Sequence, residues 1–593
     1  MPLNLYIKAM LTVTCLWGGR QEPAAMTCLA VIESILFDRI LEVLVLSNYS
    51  GEELRNLLDT IRKLSTSENA LHPSSKELRK KAEQYGTLTE FGNYHFSSTV
   101  RNRSAGLTVY VGGGKIPQKN LNKQQQEITR NITKTLRLVD RYLQRVPLYY
   151  IALTMGKNDV FTPHCDFILS RYKSEFVRLG YMVYQTLFPR QKTPGPQLYL
   201  VDLPEWQEQD KQILVFPEEG LTLVLGSDYY GEVKKGFLRM AMWNSKKRGG
   251  LGLHAGAKFI RARDKAQADK IRKIGMVIFG LTATGKTTHT VHNHGLTEPD
   301  EEVKIIQDDV VLLNPDGSAL GTERGFYIKT EGLKPETQPL LYRAATSKDT
   351  ILENILVDYK GKLDFEDETL TGNGRGIIQR DDLGHFMSES LNLPPASELD
   401  KLILAFITRR NTVLPIAAKL SPEQAAATFM LGESIESTGG DPKRAGESVR
   451  VVGTNPFIIG DDADEGNWIF DFIKRHAGKL ECYQLNTGGV GEILEKAPDG
   501  SKITKQKVTR VQIREMGTII KGICKETIEW IEEPYFHYLV PEKVEGVDMN
   551  RFSLTNFYSQ EQIEGYVRIL KNERLEYMKQ FQGLNPAIVK ALQ

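Results

Sequence analysis

An apolar run ending in glycine, GMVIFG (275–280), leads directly into Gly280-Leu281-Thr282-Ala283-Thr284-Gly285-Lys286-Thr287, an unbroken G-x4-G-K-[ST] spacing. Few short segments restrict a fold so tightly. The glycines admit backbone conformations and a close approach that side chains would block. Exposed amide N–H groups, together with the N-terminus of a following helix, then cradle phosphate oxygens. Lys286 reaches the β and γ phosphates as a point charge, and the Thr287 hydroxyl suits Mg²⁺. A chance glycine-rich turn would lack the preceding strand and the helix-compatible segment that follow from this motif and are present here. The chain is therefore expected to be an α/β protein that binds a nucleoside triphosphate.

Such a loop needs an acidic partner at the end of a neighbouring strand. Asp308 and Asp309 follow the apolar run VKIIQ, 22 and 23 residues beyond Lys286, and are read as ligands of a metal or of its water. Strand-like runs also occur upstream (LYYIALTM, QLYLVDL, ILVF, LTLVLG) and downstream (DKLILAFITRR). A helix is predicted over LNKQQQEITRNITKTLRLVDRYLQRV, where Ile128, Ile132, Leu136, Val139 and Leu143 recur at helical spacing. Another starts at Ser421, with Pro422 in the first turn and Gln424 completing a capping box. The alternation predicts mixed sheets. The basic segment 258–273 is read as either a surface helix or a connection between lobes.

At 593 residues the chain exceeds one ordinary core. The expected division is an N-terminal extension over 1–45, a substrate and metal lobe over 46–260, and a nucleotide lobe over 261–593. A net charge of +2 gives no electrostatic reason to expect nucleic acid or an anionic membrane as partner, so any anion must meet a local cluster. Five scattered cysteines without a CxxC pair indicate neither a zinc knuckle nor a disulfide framework, and fit a reducing cytoplasm. No apolar run reaches the length of a membrane helix. The first residues lack a clear cleavage pattern, and Met26 is the expected start. The sequence is silent on assembly, with a monomer as the default.

GLTATGKTT resembles the GLSGTGKTT loop of ATP-dependent phosphoenolpyruvate carboxykinases, and the likeness runs in family order from about residue 85 to 525. GSDYYGEVKKG (226–236) resembles GTWYGGEMKKG, and LGLHAGA (251–257) the histidine-bearing segment. IIQDD resembles LIGDD, GTERGFYIKT (321–330) resembles EGGCYAKT, and TILENILVD (350–358) the LLENV segment. GNGRG (372–376) resembles the arginine-bearing NTRVS stretch, NTVLPIAAKLSPEQ (411–424) FGVLPPVSRLT, NTGGVG (486–491) NTGWNG, and RVQIREMGTII (510–520) RISIKDTRAII.

The resemblance implies a two-lobed, P-loop carboxykinase-like α/β architecture with mixed sheets and an active-site cleft between the lobes. It implies decarboxylation and phosphorylation of oxaloacetate by ATP to give phosphoenolpyruvate. Lys235, His254 and Asp309 would hold Mn²⁺, and Thr287 would serve Mg²⁺. An amine ligand must lose a proton, which nearby cations assist. Arg103, in RNRSAG, would clamp a substrate carboxylate, Tyr229 would lie against it or against CO2, Lys234 would assist, and Arg375 would reach the transferring phosphoryl group. Asp308, Thr288, Lys329, Gln338, Arg510 and Met516 complete the implied catalytic and nucleotide-binding set.

Some positions depart from the family pattern. Thr282 and Ala283 replace Ser-Gly in the loop, Gln338 replaces a glutamate near the nucleotide, and Met516 a threonine near the base, which weakens the basis for adenine selectivity. His289, His292 and His294 invite a zinc reading. A helix after the loop is expected to present them on different faces, without an acidic or cysteine partner. Two other functions compete: a P-loop kinase with another carboxylate acceptor, and a nucleotide-binding regulator without catalysis. The second has no use for Lys235, His254 and Asp309.

Overall fold

A computed structural model describes residues 51–593, apart from 117, 119, 207–210, 266, 268–269, 282–283, 436–446 and 497–501. The predicted N-terminal extension and Met26 lie outside the described residues. The upstream strand-like runs pair into one mixed sheet, in the order 70–71, 148–154, 164–170, 197–203, 221–225, 212–216, 108–110. Its inner faces are unbroken apolar rows: 212–216 and 221–225 are buried at every position, as expected for strands covered on both sides. The predicted helix forms as two, Lys123–Arg130 and Ile132–Leu143. Its apolar stripe (Ile132, Leu136, Val139, Leu143) is buried against this sheet.

A second sheet carries the glycine-rich motif. Its order is 302–307, 255–263, 271–280, 401–408, 480–486, 417–420, 539–543, 529–532. Strand Ile271–Gly280 runs parallel to Lys401–Thr408, which runs parallel to Leu480–Asn486. Gly280, Thr408 and Asn486 therefore end at one edge, the carboxyl edge where open α/β sheets receive ligands. The basic segment 258–273 is neither a surface helix nor a simple connection. It is two antiparallel strands, with Lys258 paired to Met276 and Arg263 to Ile271. On the first strand Arg261 and Arg263 alternate outward with buried Ile260 and Ala262 while Lys258 is buried, a two-residue period that the density of lysine and arginine concealed.

Two smaller sheets fix the site. In one, Leu251–Leu253 pairs antiparallel with Val311–Leu313, Leu253 opposite Val311, which sets His254 beside Asp309. In the other, Lys329 lies opposite Arg375, Arg375 opposite Glu353, and Glu353 opposite Phe96. That register draws the early segment containing Arg103 to the strand that carries Arg375. The helix predicted at Ser421 spans Pro422–Leu431 with its capping box intact. Helix Gln560–Met578 packs on it near the C-terminus. Among the described residues no helix is long and apolar enough to cross a membrane, and Cys165, Cys482 and Cys524 are buried free thiols.

Candidate active site

The phosphate loop folds as its composition requires. Gly285 takes φ 100°, a left-handed conformation open to glycine, and starts helix Lys286–Val291. The Thr284 hydroxyl donates to the Leu281 carbonyl at 2.7 Å. The Gly280 amide donates to the Thr454 hydroxyl at 3.2 Å, and the Thr487 hydroxyl to the Thr284 carbonyl at 2.6 Å. Thr282 and Ala283 lie outside the described residues.

The two acids stand just past the end of a strand, where a phosphate loop needs them. The strand stops at Gln307 and resumes at Val311. Between them Asp309 adopts φ 87°, a conformation that costs a non-glycine residue energy and persists where the surroundings impose it. The turn aims Asp309 into a crowd of cations. Lys234 donates to Oδ2, and Lys235 donates to the same oxygen at 2.6 Å. Lys286 donates to Oδ1 at 3.1 Å, and His254 Nε2 lies 2.9 Å from Oδ1. Burial favours the neutral acid at Asp309, but Lys234, Lys235 and Lys286 outweigh it and hold the carboxyl well below its usual range. Asp308 points to the other side. It accepts from the Thr287 hydroxyl at 2.9 Å, and its second oxygen is buried without a hydrogen-bond partner. Burial raises its carboxyl.

Lys234 and Lys235 sit on helix Tyr230–Lys247, which Tyr229 precedes. Gly231 is obligatory there, because a Cβ would lie 2.4 Å from the Tyr229 ring. Burial, with Lys234 and Lys286 adding repulsion against the pull of Asp309, brings the Lys235 amine down to about 7. Lys234 is raised instead: burial opposes its charge, but Asp309 and Glu323, the latter 3.1 Å away, prevail. Burial, reinforced by Lys286, lowers the His254 imidazole to about 3.

These states fit a divalent cation. His254 Nδ1 lies 2.6 Å from the Thr454 carbonyl, which can only accept, so the neutral ring turns the Nε2 lone pair toward a carboxylate oxygen. Two lone pairs facing at that distance repel unless a proton or a metal lies between them, and burial disfavours the proton. Lys235 contributes an amine poised to lose its charge. Among the described residues no group of three His, Cys, Asp or Glu side chains forms a metal site; this set has two such groups and an amine.

One ring that no motif marks gathers three of the named residues. Phe457, 3% exposed, carries the Arg103 guanidinium 4.3 Å from its centroid, the Lys235 ammonium at 4.7 Å and the His254 ring edge-on at 5.7 Å. Nothing in its local sequence marks it, since it acts only through convergence of three distant segments. Glu323 and Asn373 were quoted within longer stretches but given no role. Burial brings Glu323 up to about 7, and the Asn373 amide donates to the Tyr229 hydroxyl at 3.1 Å. Arg375 stacks on Tyr327 at 5.5 Å, with its Nε buried and unpartnered.

The remaining predicted residues divide. Thr288 donates to Gln338 at 2.9 Å, placing both beside the loop. Lys329, across the strand pair from Arg375, pairs with Glu331, the Arg510 carbonyl accepts from Arg551 at 3.1 Å, and Met516 is 1% exposed within an apolar core. The histidines correct the expectation of separate faces. The helix after the loop ends at Val291, so His292 and His294 lie beyond it, and the three rings gather within 5.2 to 6.4 Å of one another. Their partner is the buried Lys258, which donates to the His289 carbonyl at 2.5 Å and the His292 carbonyl at 3.2 Å, and contacts His294 Nε2. The cluster closes the end of the phosphate-loop helix, with the Lys258 amine already engaging His294 Nε2.

Residues 67–550 match the family described as phosphoenolpyruvate carboxykinase. The chain is 33% identical over 442 residues to the phosphoenolpyruvate carboxykinase (ATP) of Aeropyrum pernix, covering 74% of this chain and 82% of that protein. It is 28% identical over 364 residues to the protein of the same name in Bradyrhizobium diazoefficiens, covering 59% of this chain and 61% of that one. For Rhizobium rhizogenes the identity is 27% over 368 residues, covering 60% and 62%.

Proposed function

The chain belongs to the ATP-dependent phosphoenolpyruvate carboxykinase family, and from that premise we propose how its own residues divide the work on oxaloacetate and ATP. The observation that carries the reading is Asp309, a single carboxylate that gathers the phosphate-loop Lys286 with Lys234, Lys235 and His254 from the preceding half of the chain. Triphosphate and carboxylate substrates therefore meet one electrostatic centre.

Lys235, His254 and Asp309 would hold Mn²⁺, and Thr287 with the free oxygen of Asp308 would serve the Mg²⁺ that accompanies ATP. When bound, the two ions supply positive charge where negative charge grows on the substrate and phosphates. Oxaloacetate loses CO2, leaving the enolate of pyruvate, and the enolate oxygen displaces ADP from the γ-phosphate. Arg103, held on Phe457, clamps a carboxylate. Tyr229, fixed by Asn373, faces the departing CO2. Lys286 and the loop amides hold the phosphates, and Arg375 neutralises the transferring group with its unpartnered Nε. Gln338 positions Thr288 beside the nucleotide. A regulator without catalysis would have no need of an amine brought down to about 7 in a buried site.

The deciding assay is oxaloacetate-dependent formation of phosphoenolpyruvate, with ATP, GTP and pyrophosphate compared as donors. Product is expected with ATP, and Lys286→Ala is expected to lower the rate by roughly 10²–10³-fold, the cost of one phosphate-stabilising group. Absence of product alongside measurable triphosphate binding would overturn the reading. Phe457→Ala offers an independent check on the substrate side. It removes the Arg103 cation–π contact, worth about 0.5–2 kcal/mol, and the packing that holds Lys235 and His254, so kcat/KM should fall roughly 3–30-fold. A change below about twofold would deny the ring its organising role.

A further inference from the structure

A second basic cluster lies outside the site described above. The C-terminal end of helix Ser75–Ala82, strand Leu148–Thr154 and the start of helix Val177–Thr186 enclose a cavity of about 250 Å³ lined by Lys81, Tyr85, Tyr149, Arg171, Lys173 and Val177, with Gln84 and Ser174. Three lining residues are cations and none is a carboxylate. Two of the cations share one ring: the Arg171 guanidinium lies 4.9 Å from the Tyr149 centroid and the Lys81 ammonium 5.7 Å from it. Among the described residues, none of Lys81, Arg171 and Lys173 has a salt-bridge partner. The nearest acid on the same helix is Glu77, whose carboxylate is engaged by Ser74 in a capping box.

Like charges converging on one aromatic face repel, and the face attracts each without separating them. On a chain with net charge of only +2, this concentration is local rather than general. From the cavity, its cations and its exposed aromatic edge, Tyr85 at 46%, we infer that it is a binding site for a small, multiply charged anion. The ligand class is a phosphorylated or polycarboxylate metabolite, held by Lys81, Arg171 and Lys173, with Tyr149 supporting the first two from behind. The position is consequential. Val177 lines the cavity, and the next residue, Arg178, donates to the Asp228 carbonyl at 2.8 Å and its carboxylate at 2.9 Å, immediately before Tyr229.

The test is lysine acylation of the full chain, read by mass spectrometry, with inorganic pyrophosphate and citrate as separate probes. At about ten times the Kd of a bound probe, acylation of Lys81 and Lys173 is expected to slow about tenfold. Arg171→Glu should abolish that protection while leaving turnover and pyrophosphate protection of Lys286 as in the parent. Protection by pyrophosphate alone assigns a phosphorylated ligand, and protection by citrate alone a carboxylate. Unchanged labelling of Lys81 and Lys173 with both probes, while Lys286 is protected by pyrophosphate, would overturn the proposal. Protection that survives Arg171→Glu would overturn it as well. Neither result bears on the carboxykinase reading, which rests on Asp309 and its partners.

Discussion

Asp309→Asn is expected to lower kcat by roughly 10³-fold or more, the range seen when a charged group that organises phosphoryl transfer is removed. The substitution keeps shape and one hydrogen-bonding oxygen but removes the only negative charge that Lys234, Lys235 and Lys286 all contact. Three ammonium groups then face one another across a mostly buried site. Lys234 retains Glu323, while Lys235 and Lys286 lose their carboxylate. Stability should fall too. Stripping a buried charge of its partner costs about 3–5 kcal/mol, and the lower end applies because the Asp309 side chain is 13% exposed. Activity measured well below the melting temperature separates the two effects. A variant that kept more than about a tenth of kcat would remove Asp309 from the centre of the machinery.

The second large effect involves residues given no part in the chemistry. Arg574, 2% exposed on helix Gln560–Met578, grips Glu433, which also takes Arg410 at 2.9 Å and Arg450 at 3.5 Å. Burial alone would raise the Glu433 carboxyl, but Arg410 and Arg574 hold it well below its usual range. Arg574→Ala leaves that carboxylate short of its most intimate partner and should cost about 3 kcal/mol, the lower bound for breaking a buried pair, since Arg410 remains. Denaturant unfolding measures it, and a loss below about 1 kcal/mol would contradict the assignment. The sign of the pH dependence follows. A depressed carboxyl contributes stability above the unfolded value of about 4.3 and loses it as pH falls through the folded one. The parent should therefore lose stability on acidification below about pH 4 more steeply than Glu433→Gln, which has nothing there to titrate. Helix Gln560–Met578 lies beyond the matched residues 67–550, so the family likeness alone gives no warning of its importance.

How far a sequence reveals such a site depends on the range over which its parts act. The phosphate loop is local: glycine spacing, a strand before and a helix after determine its backbone, and eight consecutive residues display all of it. Strands 212–216 and 221–225 were readable for a similar reason, as unbroken apolar runs. Asp309 was readable as an acid after an apolar run downstream of the loop, whereas Lys235 and His254 came from resemblance, because separate parts of the chain converge on them and no single window shows the meeting. Phe457 escaped altogether, since an aromatic residue after proline is ordinary until three cationic or imidazole groups are seen around it. The histidines misled because the helix after the loop is one and a half turns long, and a face argument requires the helix to continue. Segment 258–273 misled because basic residues on the exposed side of a strand look the same in composition as those on a surface helix.

The early strand Tyr94–Phe96 is held by a partner that the ribosome makes much later. The Ser98 amide donates to the Asn354 side-chain oxygen, 256 residues further along, and the strand itself pairs with 351–353. At synthesis rates of about 5–20 residues per second, that interval is roughly 13–50 s. For that time the emerging strand has its early neighbour Thr87–Leu88 on one edge, while the other edge, shortly before Arg103, is open to any strand it meets. The protein's exposure to misassembly is written into its order of translation, and slowing elongation between 100 and 350 should lengthen the vulnerable period without altering the finished enzyme.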